Sequence, residues 1–374
     1  MIQKSKKDFK VNILAENAPI SREQGTFPTL PYYGWPSVAV DENDVVYAVV
    51  SKRLLHVDPY GKVMLYKSTD KGQTWDAGTC IYNSALDDRD AGIAYMGNGK
   101  ILVTTFSHNA KNYVKNDVDK WVKWQRLVGP ENTEAVFDRW KKMPEADLLG
   151  CSSYLISTDY GKTWSEPRKM PITAPHGPSF TKDGKLIYIG VPKAPELAGE
   201  DLPDGVYCYF SMDRGETWER KSELPVDLSC TPVECYGIEL RDGTILAAIR
   251  ANETLHTLIC RSEDGGETWS EPEDVCYGIP PHLLELPDGT VVLSTATRAK
   301  ADKAEYVRFS PDGGKTWSDG VALTKVSDPE HYIGADIGYP ATARFSDGTL
   351  ITVYYQVLDG DTTPSFCRTV WEIG

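Results

Sequence analysis

The stretch Ser157-Thr158-Asp159-Tyr160-Gly161-Lys162-Thr163-Trp164 carries the pattern that decides the fold of this chain. An Asp side chain accepts hydrogen bonds from backbone N–H groups further along a turn, and Gly adopts positive φ there. Thr then resumes an extended strand, and Trp covers the turn. The same Ser-x-Asp-x-Gly-x-Thr-Trp pattern recurs with its aspartate at Asp70, Asp213, Asp264 and Asp312. The five copies predict structural β-turns whose aspartates support the fold, and the Asp-x-Asp-x-Asp-Gly series of a calcium loop is missing.

Between and around these turns, six segments are typical of a strand, a tight turn and a second strand. Four of them turn on an Asp-Gly pair and one on Asn98-Gly99, both strong hairpin signals. The six segments are Gly34–Ser51, Ala91–Ser107, His176–Val191, Glu234–Arg250, Pro280–Arg298 and Gly338–Gln356. One hairpin and the strands around one turn motif supply about four strands, the content of a propeller blade. The sequence therefore predicts an all-β fold, a six-bladed β-propeller with a short helical insertion, and a single domain over residues 1–374.

The last blade and the longest spacing between turn motifs need separate explanations. Phe366–Ile373 is predicted to be the third strand of the last blade, with Asp8–Leu14 as its fourth strand, so that the two ends of the chain close the ring. The first two turn motifs are 89 residues apart, whereas the later ones follow each other at 54, 51 and 48 residues. Apolar residues at helical spacing predict two short helices in the insertion 111–147, one over 114–122 and one over 136–140, beside the pocket.

Composition excludes several classes of function. The chain has 374 residues with 40 basic and 54 acidic side chains, a net charge of −14, which disfavours a nucleic-acid partner because phosphate repels an acidic surface. No apolar run reaches the ~18–20 residues of a membrane-spanning helix, so no membrane association is predicted. The first seventeen residues lack the apolar region of a secretory signal, and the eight cysteines show no Cys-x-x-Cys pair, so we expect a cytoplasmic protein with free thiols. The oligomeric state stays open.

The turn motif is the Asp box, and six hairpins with five Asp boxes resemble the sialidase (neuraminidase) superfamily over essentially the whole chain. The resemblance implies an exo-glycosidase that hydrolyses a terminal acidic sugar with retention of configuration. Three arginines would bind the sugar carboxylate, an Asp would be the acid/base, and a Tyr with a Glu partner would be the nucleophile. Because the anomeric carbon of sialic acid bears a carboxylate, a phenol attacks it with less charge conflict than a carboxylate would.

The family's site residues match this sequence at the ends of the hairpins. Glu234 and Arg250, 16 residues apart, resemble the Glu and the second Arg. Tyr339, at the start of the last hairpin, resembles the nucleophile, and Arg298, at the end of the fifth, resembles the third Arg. The acid/base Asp, in the loop after the first hairpin, resembles Asp58.

Further candidates lie at hairpin ends, where the inner strands of a propeller meet at its central mouth. Asp90 is the alternative acid/base, and Arg53 is a candidate for binding substrate. His176 and His282 also lie at hairpin ends and are candidates for lining the pocket. Their spacing shows no metal signature, so neither a metal nor another cofactor is predicted.

Two positions depart from the family pattern. The first hairpin opens with Gly34-Trp35-Pro36 where the family has Arg-Ile-Pro, and Tyr355 stands where a Glu should support that Arg. The paired loss indicates that one side of the pocket is rebuilt. Two alternatives therefore stay open: a glycosidase or polysaccharide lyase of the same fold acting on another uronic or neutral sugar, and a non-catalytic carbohydrate-binding propeller. A carbohydrate is the expected partner, and the non-catalytic alternative includes a propeller that binds a protein instead.

Overall fold

The computed structural model describes residues 3–5, 7–23, 31–111, 130–299, 302–325 and 337–374. They form six small antiparallel sheets arranged as six blades, which confirms the predicted all-β propeller. The first strand of each blade contacts that of the next around the ring, so these inner strands surround the central axis. None of the helices in the described ranges is long and apolar enough to cross a bilayer.

The first three blades follow one another in chain order. Blade 1 contains Tyr32–Val40, Val46–Arg53, Lys62–Ser68 and Thr79–Tyr82. Blade 2 contains Asp88–Tyr95, Ile101–Ser107, Ser152–Ser157 and Arg168–Met170. Blade 3 contains Ile172–Thr173, Ser179–Phe180, Leu186–Pro192, Val206–Ser211 and Glu219–Leu224.

The remaining blades repeat this order and complete the ring. Blade 4 contains Pro232–Glu239, Ile245–Ala251, His256–Ser262 and Glu273–Tyr277. Blade 5 contains Ile279–Glu285, Val291–Thr297, Ala304–Ser310 and Val321–Lys325. Blade 6 contains Ile337–Arg344, Leu350–Gln356, Ser365–Ile373 and Val11–Ser21.

The two ends of the chain close the propeller, as the sequence predicts. Val11–Ser21 pairs antiparallel with Ser365–Ile373 and is the outermost strand of blade 6. The closing strand begins at Val11 and runs further than the predicted segment 8–14. A short strand, Gln3–Lys4, also pairs with Thr316–Trp317 of the fifth Asp box.

The Asp boxes form the predicted turns. In the second box, Asp159 Oδ1 accepts hydrogen bonds from the backbone N of Lys162 at 3.0 Å and of Thr163 at 2.9 Å. Its Oδ2 accepts a third from the Thr163 hydroxyl at 2.6 Å, and Ser157 Oγ donates to Oδ1 at 2.8 Å. The equivalent aspartates of the other four boxes bind their own Ser and Thr in the same way. Each of these carboxylates is therefore held by hydrogen bonds from its own turn.

Apolar cores lie between neighbouring blades. Val46, Ala48 and Val50 of blade 1 are fully buried and pack against Ile351 and Val353 of blade 6. Such near-continuous apolar strands are expected where both faces of a sheet are covered. The packing holds the inner strands at fixed positions around the axis, which positions the site described below.

One helix of the insertion is described, Pro130–Lys141, followed by a 3₁₀ turn at Glu145–Leu148. Its Phe137 and Trp140 are buried against Val57 and Leu86, from the loops that precede the third strand of blade 1 and the first strand of blade 2. Trp140 Nε1 donates to the carbonyl of Ala85 at 3.2 Å. This confirms the second predicted helix, whereas the first, over 114–122, lies outside the described residues.

Candidate active site

The inner strands carry β-bulges close to the end at which they begin. The register with the neighbouring strand shifts directly after Gly34, Arg89, Val233, Ile279 and Gly338. In four of these bulges the first extra residue has positive φ: Trp35 at 55°, Asp90 at 52°, Glu234 at 50° and Tyr339 at 58°. Bulges re-aim side chains, and non-glycine residues in this conformation cluster at functional sites. We call this end of the axis the mouth and define it by these four residues.

Tyr339 and Glu234 are in direct contact across the mouth. The Tyr339 hydroxyl donates to Glu234 Oε1 at 2.5 Å, although the residues belong to blades 6 and 4. Tyr339 is only 4% exposed, and its pKa is raised well above its usual value by burial and by the negative charge of Glu234. The phenol is therefore neutral at rest and carries its proton on the side of the Glu234 carboxylate.

Arg250 holds the other oxygen of Glu234. Its Nη1 donates to Glu234 Oε2, and its Nη2 donates to Asn252 Oδ1 at 2.7 Å. Burial opposes the charge of Arg250, but the Glu234 carboxylate outweighs it and raises the pKa of the guanidinium. Arg250 Nε is buried and has no hydrogen-bond partner among the described residues, so its N–H is among the donors left for a ligand. The sequence-predicted trio Tyr339, Glu234 and Arg250 is thus brought together.

Asp90 lies beside Tyr339 and Glu234, and the pKa of its carboxyl group is far from that of an ordinary aspartate. Asp90 is 7% exposed, and its pKa is raised to about 7. Burial is the main cause, the positive charge of Arg89 lowers the pKa, and the negative charge of Glu234 raises it further. Its Oδ1 accepts no hydrogen bond from any described residue. A carboxyl that exchanges its proton near neutral pH is suited to general acid/base chemistry.

Asp58, by contrast, is used by its own loop. Its Oδ2 accepts hydrogen bonds from the backbone N of Leu54 at 2.9 Å and of Leu55 at 2.7 Å, and its Oδ1 accepts one from Tyr60 at 2.7 Å. The side chain is fully buried. The structure therefore does not present Asp58 to a ligand, and Asp90 is the carboxyl that stands beside Tyr339 and Glu234.

Arg53 is likewise enclosed behind the mouth. It is 2% exposed and forms an ion pair with Asp87 at 2.5 Å. Its remaining guanidinium groups donate to Ser51 Oγ and to the carbonyls of His56 and Asp88. With every donor satisfied, Arg53 supplies positive charge to the site without contacting a ligand, which differs from the expectation that it binds substrate.

Arg298 is placed beside the nucleophile candidate. Its guanidinium carbon lies 5.8 Å from the centre of the Tyr339 ring, and its Nε donates to the carbonyl of Ile337 at 3.0 Å. Its Nη2 donates to the Tyr355 hydroxyl at 3.3 Å. Tyr355 thus contacts an arginine, as the Glu of the family pattern would, but this arginine is Arg298 and the acceptor is a neutral phenol.

Aromatic rings fill the side of the mouth where the sequence lacks the first Arg. Trp35, Tyr339 and Tyr355 form a buried cluster, with the Trp35 and Tyr339 rings 6.3 Å apart. A Cβ at Gly34 would come within 3.1 Å of the Tyr32 ring, so that wall is already packed. The sequence interpretation missed Trp35 as a site residue. Its position directly before Pro36, like that of Tyr339 before Pro340, was the available signal.

His176 and His282 lie beneath the mouth, on the axis. Their rings are 5.1 Å apart, and His176 is 6.3 Å from the Tyr339 ring. Burial lowers the pKa of His282 to about 3. Burial and the neighbouring His282 keep the pKa of His176 well below its usual value, so both imidazoles are neutral. His282 also reaches a cavity of about 600 Å³ at the opposite end of the axis, lined by the hairpin turns. That cavity contains none of the reactive group around Tyr339, so we place the candidate site at the mouth.

No three His, Cys, Asp or Glu side chains are gathered in a metal-binding arrangement within the described part of the chain. The chemistry that this arrangement can perform is acid/base and nucleophilic: a phenol paired with a carboxylate, a carboxyl with a pKa of about 7, and two arginines for an anion.

Comparison with known protein families shows which family this chain belongs to. The model of the BNR repeat-like domain matches residues 138–352, which is more than half of the chain. The chain belongs to the BNR repeat-like family. A sialidase of Bacteroides fragilis (strain YCH46) is 24% identical over 329 residues, covering 80% of this chain and 54% of the relative. The chain thus spans about half the length of that curated relative.

Solved structures agree with this membership at the level of fold. A protein of unknown function from Dyadobacter fermentans DSM 18053 has a TM-score of 0.73 at 20% identity, covering 97% of this chain and 99% of the other. The NanB sialidase of Streptococcus pneumoniae has a TM-score of 0.64 at 13% identity, covering 95% and 70%. The predicted relationship of this BNR repeat-like chain to the sialidase superfamily is confirmed.

Proposed function

We propose that the protein is a retaining glycoside hydrolase that removes a terminal acidic sugar of the sialic acid type from a larger carbohydrate. The observation that carries this proposal is the 2.5 Å hydrogen bond from the Tyr339 hydroxyl to Glu234, whose second oxygen is held by Arg250. A buried phenol paired with a carboxylate is an activated nucleophile. The sialidase relatives support the same class of reaction.

In the first step, the Tyr339 oxygen attacks the anomeric carbon while its proton passes to Glu234. The glycosidic C–O bond breaks at the same time, and Asp90 gives its proton to the departing oxygen. Asp90 is suited to this because its pKa of about 7 leaves it substantially protonated at neutral pH. The products of this step are the leaving sugar and a glycosyl group bound to Tyr339.

In the second step, water replaces the tyrosine. The Asp90 carboxylate accepts a proton from the water as its oxygen attacks the anomeric carbon, and the bond to Tyr339 breaks. Glu234 returns its proton to the phenolate. Two displacements at one carbon restore the original configuration, and every group of the enzyme regains its starting protonation state.

The sugar carboxylate is assigned to Arg250 and Arg298. Arg250 has a free buried donor, and Arg298 lies beside the Tyr339 ring. Since aromatic residues occupy the place of the first Arg of the family pattern, two arginines hold the carboxylate. We expect weaker binding of free sialic acid than three arginines would provide.

The experiment is hydrolysis of an α-linked sialyllactose, with the anomer formed first identified by NMR. Release of the α anomer, abolished by Tyr339→Phe, is the expected result. Release of the β anomer first would contradict the retaining mechanism. Cleavage of a neutral glycoside alone, or an unsaturated product that absorbs in the near ultraviolet, would replace the proposal by the other glycosidase or the lyase reaction.

A further inference from the structure

A cationic side chain at the mouth has no role in the mechanism above. Lys193 directly follows Leu186–Pro192, the blade 3 strand that pairs with the two short inner strands and so corresponds to the second strand of the other blades. Arg53 ends the second strand of blade 1, and Arg298 follows that of blade 5. Lys193 therefore occupies the same place in blade 3, at the end of that strand, as the two arginines do in blades 1 and 5. Its backbone N donates a hydrogen bond of 2.9 Å to the carbonyl of Pro171.

The surroundings of Lys193 belong to the Asp90 side of the mouth. Its ammonium lies 4.6 Å from the centre of the Phe106 ring. Phe106 is the direct cross-strand neighbour of Arg89, the residue before Asp90. The charges that act on Lys193 come first from Arg89, then from Asp90 and Asp87. Lys193 and Arg89 thus place two positive charges on one flank of the Asp90 carboxyl.

Lys193 lacks the counterion that its neighbours have. Arg53 and Arg89 both pair with Asp87, and Arg250 pairs with Glu234. No carboxylate of the described residues lies within 4.0 Å of the Lys193 ammonium, although the side chain is half-buried. A half-buried charge without a partner is costly to the folded state and is typical of a position that binds an anionic ligand.

The balance of charge around the mouth also favours the binding of an anionic ligand. Five cationic side chains gather there, Arg53, Arg89, Lys193, Arg250 and Arg298, in a chain whose net charge is −14. Within the described ranges, Asp87 pairs with Arg53 and Arg89, and Glu234 pairs with Arg250. Burial and Arg89 lower the pKa of Lys193 to about 8, and the ammonium form still predominates at neutral pH. The cations at the mouth therefore outnumber the two carboxylates that pair with them, and Lys193 forms an ion pair with neither.

We propose that Lys193, with Arg89 beside it, forms a second anion-binding subsite, so that the preferred substrate carries two anionic groups. This inference rests on the proposed function and specifies its substrate class. The first group, the sugar carboxylate, binds Arg250 and Arg298 beside Tyr339. The second, a carboxylate, phosphate or sulfate, binds Lys193 on the other flank of the reacting atoms, either on the same sugar or on the leaving group.

Calorimetric titration of the whole protein tests this with three probes. Sialyllactose carries one carboxylate, disialyllactose carries a second on the neighbouring sugar, and a sialic acid phosphorylated on its glycerol chain carries a second anion on the same sugar. We expect one of the two dianions to bind about tenfold or more tightly than sialyllactose, the size of one charge-assisted hydrogen bond. Whichever dianion does so identifies the location of the second group.

Variants assign the effect to Lys193. Lys193→Met should remove the preference for the dianion and leave sialyllactose binding unchanged, whereas Lys193→Arg should retain it. Lys315→Met, an exposed lysine of the fifth Asp box, makes the same change of charge and should have no effect.

Equal affinity for all three probes would overturn the inference, and so would a Lys193→Met variant that weakens monoanion and dianion alike. All titrations use the Tyr339→Phe variant, which leaves the probes intact, so binding is measured without turnover and this result is separate from that of the proposed function. A protein that binds the dianion through Lys193 but hydrolyses no sialoside would retain the subsite and lose the reaction.

Discussion

Two regions of this protein use aspartate in opposite ways. In the first Asp box, Asp70 is only partly buried, and a hydrogen bond from the Thr74 hydroxyl is the main cause that lowers its pKa to about 2. At the mouth, Asp90 is buried, and its Oδ1 has no partner among the described residues, so its pKa rises to about 7. The same carboxyl is permanently ionised in one region and exchanges its proton near neutrality in the other.

The difference teaches where each environment comes from. The partners of Asp70 are Ser68, Gln73 and Thr74, all within four residues of it, so the motif itself creates the site. The surroundings of Asp90 include Glu234 and Arg53, which belong to blades 4 and 1. Hydrogen bonds within a turn stabilise a charge, whereas burial between blades destabilises it and makes it reactive.

The largest expected effect concerns the nucleophile pair. Tyr339→Phe removes the donor of the 2.5 Å hydrogen bond, and Glu234→Gln removes the carboxylate that would take its proton. Each should lower kcat on sialyllactose by about a thousandfold or more. Tyr354→Phe is the matched control. The Tyr354 hydroxyl binds Thr369 of the neighbouring strand, and Tyr354 lies on the opposite face of the sheet from its neighbour Tyr355, which contacts Tyr339. Full activity of Tyr339→Phe would remove Tyr339 from the mechanism.

The next effect separates the two candidate acids. Asp90→Asn should lower kcat/KM for a sugar leaving group by about a hundredfold or more, and much less for a phenolic leaving group that departs without a proton. With the wild type, hydrolysis of the sugar substrate should decline above about pH 7 as Asp90 loses its proton. Asp58→Asn should keep the specific activity of its folded fraction. The reverse pattern would assign the acid/base role to Asp58.

A stability measurement tests the electrostatic contrast without any substrate. The folded protein keeps the Asp90 proton up to about pH 7, whereas an unfolded chain releases it near pH 3.8, so the folded state loses stability as the pH rises between these values. Asp90→Asn removes that cost and should raise the free energy of unfolding at pH 8 by about 2 kcal/mol. Urea unfolding at pH 4 and pH 8 should show the gain only at the higher pH. A loss at pH 8 would contradict the buried, strained state of Asp90.

The smallest expected effect is a loss of stability on removing an Asp-box aspartate, opposite in sign to the gain expected for Asp90→Asn. Asp213→Ala removes hydrogen bonds to Ser211 and Thr217 and should lower the free energy of unfolding by about 1–2 kcal/mol, with the activity of the folded fraction retained. Asp204→Ala, an exposed aspartate of the same blade, is the control for loss of charge. A folded but inactive Asp213→Ala variant would end the division between structural and reactive aspartates.

Much of the site was within reach of the sequence, because propeller hairpins bring their ends together. Glu234, Arg250, Arg298 and Tyr339 meet at the mouth as the hairpin ends and the family pattern predict. The candidate acid/base was harder to predict, since sequence position favoured Asp58, and only burial and contacts distinguish Asp58 from Asp90. Trp35 and Lys193 were missed because their significance depends on neighbours from other blades.

The sequence by itself determined the number of blades and the turns, since each depends on a local signal: Asp-Gly pairs, Asp boxes and near-continuous apolar strands. It also predicted the closure of the ring, because the last blade lacks a fourth strand unless the other end of the chain supplies it. Only the tertiary structure decided which carboxyl is reactive, which arginine is free to bind an anion, and what fills the space left by Gly34. Those properties depend on burial and on charges contributed by separate blades. No stretch of chain contains them, because the inner strands create them only when they meet around the axis.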